Sequence, residues 1–292
     1  MIEKNCCEAD MHSYACCDSR PLEVYLFFDP LCSDCYAMNP ILKKLQIEYG
    51  HYFRLKYVLC GKLKSLNTVK RNVTLKRTMV HPRYVDCSQP GLKQIKVSSP
   101  YTASIAVKAA ELQGKKAGIR FLKKLQEYFY LREKDITSLN VLINCAREAS
   151  LDVDEFLKDL YSKSTFYAFQ CDLKITKEME VTETPTLVFF NNNVEEAGIK
   201  LAGVNPYEIY VDVLTEVLGE FPVSHSLPPL ASFIRYHNIV STEDLAFIYD
   251  RPHFNIELEL KKLALQQIVK RIETTKGTFW KYNQNTTDSP GI

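Results

Sequence analysis

The feature that most constrains this chain is an apolar run that ends in a pair of cysteines. Leu22 to Phe28 reads LEVYLFF, Asp29-Pro30 breaks it, and Cys32-Ser33-Asp34-Cys35 follows at once. A short, bulky run bounded by a turn signal reads as a buried strand. Cys32 to Tyr49 then reads as a helix, with Met38, Ile41, Leu42 and Leu45 at three- and four-residue spacing and a kink at Pro40. A cysteine where a strand hands over to a helix meets unpaired N–H groups and the positive end of the helix dipole, which favour a thiolate. The second cysteine lies one turn inside, near enough to close a small disulfide. The alternative is half of a zinc site. It is weaker because no second C-x2-C pair is present, although the amino-terminal cysteines are available to complete one.

The remaining chain divides by pattern. Phe53 to Leu59 alternates as a half-buried strand. Helical periods follow over Pro100 to Gln113, Ala117 to Leu131, Ser138 to Ala149 and Val153 to Tyr161, with Asp152 as an N-cap. Thr186 to Phe190 is a strand, Asn191 to Asn193 a turn, and Gly198 to Gly203 its hairpin partner. Asn205 as N-cap and Pro206 as first residue open a helix to about Leu218. Pro222, Pro228 and Pro229 mark a linker. Beyond it, Ser241 to Asp244 resembles a capping box, a longer helix is expected from about Ile256 to Glu273, and Phe279 to Tyr282 is a final extended piece. At about 150 residues per domain the length suggests two domains.

Val181 to Thr186 (VTETPT) immediately precedes the apolar strand LVFF. With the strand–Cys32-x-x-Cys35–helix order and Pro40 five positions after Cys35, the chain resembles the DsbA-like branch of the thioredoxin superfamily. That resemblance implies an α/β fold in which Pro185 is cis and faces the thiols, with Thr184 beside it. The largely helical stretch at about 65–175 would be the branch's helical insertion. The passage PLEVYLFFDPLCSDCYAMNPILKKLQIEYGHYFRLKYVLCGKL is, further, similar to the SpxH (YjbH) family of ClpXP adaptor proteins, in order over roughly residues 20 to 282. This implies a Cys/His-bearing tail over 1–20, a DsbA-like domain over 21–220 and a small winged-helix-like domain over 221–292. It also implies a biological role, in which the chain binds the regulator Spx and promotes its degradation by the ClpXP protease.

The ten cysteines fall into groups. Cys6, Cys7, Cys16 and Cys17 flank His12 and offer more soft ligands than one zinc needs, which points to a zinc-binding or thiol-sensing tail. The alternative is a segment that is merely Cys-rich. Cys145, inside VLINCAREA, is a packed thiol, and Cys60, Cys87 and Cys171 receive no role. The first twenty residues lack the basic start and apolar stretch of a secretory signal, and no run is long enough to cross a bilayer. The expected compartment is the cytosol, where thiols stay reduced.

Two features weigh binding against turnover. Asp34 between the thiols opposes a Cys32 thiolate by Coulomb repulsion, and Glu183 stands where a small residue often precedes the Thr-Pro pair, crowding the substrate groove. From Glu48 to Asp86 the chain holds nine basic residues and no acidic one in between, although its net charge is only +2. Lys70, Arg71, Lys76 and Arg77 in this stretch are expected to meet an acidic protein surface. Residues 221–292 balance eight bases with seven acids, which disfavours nucleic acid. The expectation is therefore a non-enzymatic adaptor. The alternatives are a thiol–disulfide oxidoreductase using Cys32 and Cys35, and an adaptor that these thiols regulate.

Overall fold

A computed structural model describes residues 20–61, 101–193, 197–274 and 276–283. The first core is built on a four-stranded sheet: β1 (Leu22–Phe28), β2 (Phe53–Leu59), β3 (Thr186–Asn191) and β4 (Ile199–Ala202), in the order β2-β1-β3-β4. β1 and β2 run parallel with Leu22 opposite Phe53, while β1–β3 and β3–β4 are antiparallel. Parallel neighbours need a crossover, supplied by α1 (Ser33–Ala37) and α2 (Asn39–Tyr49). The helix expected from Cys32 is thus two helices. It breaks at Met38 because Pro40 has no N–H to offer the Tyr36 carbonyl, and Pro40 instead sits in the first turn of α2.

The sheet is covered on both faces. Val24 and Leu187 pack into the larger cluster; Phe27, Val58, Cys60 and Val188 pack with Val181 on the other side. The alternation expected in β2 therefore holds through Tyr57 and fails at Val58, which is buried too.

The helical layer comprises α3 (Thr102–Leu112), α4 (Lys115–Gln126), α5 (Leu139–Glu148), α6 (Val153–Leu160) and α7 (Lys163–Glu178). Asp152 caps α6 through the Glu155 N–H at 2.9 Å. The helix expected over Ala117–Leu131 turns into a π-helical turn at Glu127–Leu131. α7 escapes sequence reading because Phe166 and Tyr167 are exposed and blur its period. It nonetheless ties the sheet to the layer: the Asp172 carboxylate accepts the Leu59 N–H at 2.8 Å and pairs with Lys108 of α3 at 2.6 Å.

α8 (Tyr207–Leu218) follows the hairpin. Pro206, not Asn205, is its cap residue; Asn205 turns back, donating from Nδ2 to the Ala202 and Gly203 carbonyls. After the proline-marked connector comes a second body: α9 (Leu230–His237), β5 (Ile239–Ser241), α10 (Thr242–Ile248), α11 (His253–Leu265), β6 (Val269–Thr274) and β7 (Gly277–Tyr282). Its antiparallel sheet has the order β5-β7-β6. Ser241 caps α10 as its capping box suggests, accepting from the Asp244 N–H at 3.0 Å. The helix expected to reach Glu273 stops at Leu265, and Gln267 takes a positive φ of 61°. Ile268 and Ile272 mimic helical spacing, but Val269–Thr274 gains a full ladder with β7, Arg271 opposite Trp280.

Trp280 anchors this second core, its Nε1–H donating to Thr242 Oγ1 at 2.9 Å. The two bodies meet where Lys44 of α2 pairs with Asp250 and lies over the rings of Tyr207 and Phe247. The connector is tied down as well: the His225 N–H donates to the Glu48 carbonyl and the Val223 N–H to the Tyr52 hydroxyl, with His225 stacked on His51. No described helix is long and apolar enough to cross a membrane.

Candidate functional site

The thiol site is assembled at the carboxyl end of β1. Asp29 makes the turn: its Oδ1 accepts the Leu31 N–H at 2.7 Å and its carbonyl the Cys32 N–H at 3.1 Å. Cys32 then occupies the cap position of α1, and its sulfur accepts the Cys35 N–H at 3.4 Å. From 152 residues away, the turn before β3 arrives with a cis Thr184–Pro185 bond, and the Thr184 carbonyl lies 3.5 Å from the Cys32 sulfur. The structure thus brings together all four residues expected here: Cys32, Cys35, Thr184 and Pro185.

The two thiols are electrically unlike. The hydrogen bond from the Cys35 thiol holds Cys32 below its ordinary range; burial opposes this, Thr184 and the Cys35 amide assist, and the Asp34 charge raises it as expected. The Thr184 hydroxyl is buried with no partner that meets hydrogen-bond geometry, yet it faces the Cys32 sulfur closely enough to favour the thiolate. Cys35 is pushed well up, first by burial, then by its bond to Cys32, with the Asp29 charge adding to it. This is the asymmetry of an attacking thiolate and a resolving thiol. Access is another matter. Cys32 and Cys35 are each only 6% exposed, so little of either side chain is presented to solvent. Glu183, expected to crowd the approach, is itself exposed.

Sequence reading missed what surrounds the pair. The π turn carries Tyr130 onto Tyr36, the residue after Cys35, with ring centroids 4.3 Å apart and planes 21° from parallel. Cys60 stands at the end of β2 beside β1, its thiol pushed up to about 12 by burial. The position of the β1–β2 pair at the C-x-x-C end was the available signal for Cys60. Cys145 is fully buried in the helical layer, as expected of a packed thiol, and burial raises it to about 12. The proposed metal ligands Cys6, Cys7, His12, Cys16 and Cys17 lie outside the described residues, as do Lys70, Arg71, Lys76 and Arg77. Among the described residues no group of three or more His, Cys, Asp or Glu side chains is placed to hold a metal ion.

Comparison with known proteins gives four findings. A thioredoxin family model matches residues 25–212. The chain is 46% identical over 267 residues to the ClpXP adapter protein SpxH of Shouchella clausii (strain KSM-K16), covering 90% of this chain and 89% of the relative. It is 41% identical over 271 residues to the protein of the same name in Bacillus subtilis (strain 168), with the same coverage. A solved structure from Nitrosomonas europaea described as a protein disulfide isomerase superposes with a TM-score of 0.54 at 19% identity, covering 68% of this chain and 98% of that one, which speaks for the fold. A sheet with thiols at the end of its central strand, a cis proline facing them, and alignment over nearly the whole length lead to one assignment: the chain belongs to the SpxH family of ClpXP adapter proteins, on a DsbA-like thioredoxin fold.

Proposed function

We propose that the chain is a cytosolic adaptor that binds the regulator Spx and promotes its degradation by the ClpXP protease. The observation that carries this reading is the 46% identity, over nine-tenths of the chain, to a protein named for that role. Adaptor action needs no covalent step: it raises the local concentration of a substrate at the protease, or holds the substrate so that a terminus can be engaged.

The amino-terminal thiols with His12 supply donors for one zinc, and Lys70, Arg71, Lys76 and Arg77 supply a basic contact for an acidic surface. The carboxy-terminal body runs helix, strand, helix, helix, strand, strand, the order expected of a winged-helix-like unit. Its near balance of charge favours a packing and docking role over DNA reading.

The second reading, thiol–disulfide exchange, is favoured by the lowered Cys32 and raised Cys35. A Cys32→Ser, Cys35→Ser chain in a reconstituted ClpXP assay separates the two. Full stimulation of Spx proteolysis upholds the adaptor. Lost stimulation, together with insulin-reducing activity in the wild-type chain, upholds the enzyme.

A further inference from the structure

A groove of about 850 Å3 runs between the two bodies. Its lining includes Phe53, Leu55 and Tyr57 of β2, residues along α4, and Tyr236 at the end of α9. Among the described residues β2 is the edge strand of its sheet. The Tyr52 carbonyl accepts the Leu22 N–H, and the Cys60 N–H donates to the Phe28 carbonyl, so even-numbered residues turn their main-chain groups toward β1. Odd-numbered residues turn theirs outward. At the ends these outward groups are taken: Arg20 donates to the Phe53 carbonyl and the Leu59 N–H reaches Asp172. Between them, Leu55 and Tyr57 have no main-chain hydrogen bond outward among the described residues. An edge left open in this way is a template for another strand.

The groove is also strongly basic. Arg20 and Arg54 stand on the β2 side, Lys116, Arg120 and Lys123 on α4, and Arg235 on α9. The two carboxylates at its margin are already engaged: Glu127 and Glu148 pair with Lys124 and Arg132. Lys116, Lys123 and Arg235 have no carboxylate partner among the described residues; Lys123 and Arg235 lie instead over the rings of Tyr236 and Tyr282. We infer that this groove docks an acidic, extended segment of a partner protein, which joins the sheet as a strand beside β2. A nucleic acid satisfies the cations but leaves the main-chain groups of Leu55 and Tyr57 without partners; only another polypeptide satisfies both. The inference rests on the adaptor reading in one respect, that the partner is the protein delivered for degradation.

The test uses the full chain and three fluorescein-labelled probes followed by anisotropy at low salt. They are a decapeptide alternating Glu and Val, its Lys–Val counterpart, and an oligothymidylate of matched charge. The Glu–Val peptide alone binds, and it slows amide exchange at Leu55 and Tyr57. Lys116→Glu, Lys123→Glu, Arg235→Glu, all at exposed positions, weakens it roughly tenfold or more. Leu55→Pro, which removes only an outward N–H, weakens it while Leu55→Ala does not. Binding without slowed exchange at Leu55 and Tyr57, indifference to the triple reversal, or equal binding of the oligothymidylate overturns the inference. So does protection of both amides in the free chain that vanishes when residues 1–19 are removed, since the occupant is then the chain's own acidic start. Undiminished Spx degradation with the triple variant sinks the groove and leaves the adaptor standing. No stimulation by the wild-type chain, with peptide binding and protection intact, sinks the adaptor and leaves the groove.

Discussion

Replacing Lys44 by Met tests what holds the two bodies together. Lys44 sits on α2 of the first body with its side chain only 5% exposed, and its partner Asp250 belongs to the second with its side chain 73% exposed. The ammonium lies 4.7 Å from the Tyr207 ring centre and 5.5 Å from that of Phe247. Two partly desolvated cation–π contacts are worth about 0.5–1 kcal/mol each. An ion pair to so exposed a carboxylate adds roughly 0.5–1 kcal/mol. Met keeps the length and the packing of the stem and removes the cost of burying a charge, which returns roughly 1 kcal/mol. The net loss is about 1 kcal/mol, and it falls on the contact between the bodies. Trp280, the chain's one tryptophan, is buried in the second core, so its fluorescence follows that body alone. At a urea slope of about 1–2 kcal/mol/M, its unfolding midpoint drops by about 0.5–1 M in Lys44→Met. Asp250→Asn, which spares both ring contacts, loses only the ion pair, roughly 0.5–1 kcal/mol, and shifts it by no more than Lys44→Met does. An unmoved Trp280 midpoint in Lys44→Met refutes the coupling; a larger shift in Asp250→Asn than in Lys44→Met refutes the weight given to the rings.

Three further outcomes are expected. Iodoacetamide labels Cys32 before Cys35 at neutral pH, and Asp34→Asn quickens that labelling by removing the charge that raises Cys32; peptide mapping that finds Cys35 modified first contradicts the asymmetry. Thr242→Val leaves the buried Trp280 N–H without its acceptor and costs about 1–3 kcal/mol in the same fluorescence assay, whereas Thr242→Ser restores most of it. Burial works to raise Glu148, yet bonds from Tyr128 and Arg132 hold it down at about 2, so its contribution is present above the ordinary value of 4.5 and lost as pH falls toward 2. Glu148→Gln accordingly lowers the melting temperature at pH 7 and leaves it unchanged near pH 2; an equal loss at both pH values rules out the ionised carboxylate as the source.

Much of this fold was legible because its signals are local. β1, the β3–β4 hairpin, the caps at Asp152 and Ser241, and the C-x-x-C placement each declare themselves within a few residues. Where sequence reading failed, a distant partner decides. β6 passes for helix until β7 is there to pair with it, and Cys60 is remote from Cys32 until β1 and β2 align. α9 hides behind the prolines of the linker, although Pro228-Pro229 ahead of an apolar octet is a fair helix start, Pro229 being its cap residue. The basic groove could not be read at all. Of the basic run between Glu48 and Asp86, Arg54 lines it, and its other cations come from residue 20, from α4 and from α9.

A proline-marked connector is easily imagined as rope, with the carboxy-terminal body swinging at its end. Here the rope is stitched to the deck at Glu48 and Tyr52, directly over the turn that leads into β2. Slack added beyond those stitches changes little, because the far body also rests on α2 through Lys44 and Asp250. The span across which a captured chain could be gripped is therefore set by where the bodies touch and where the connector is fastened, rather than by contour length.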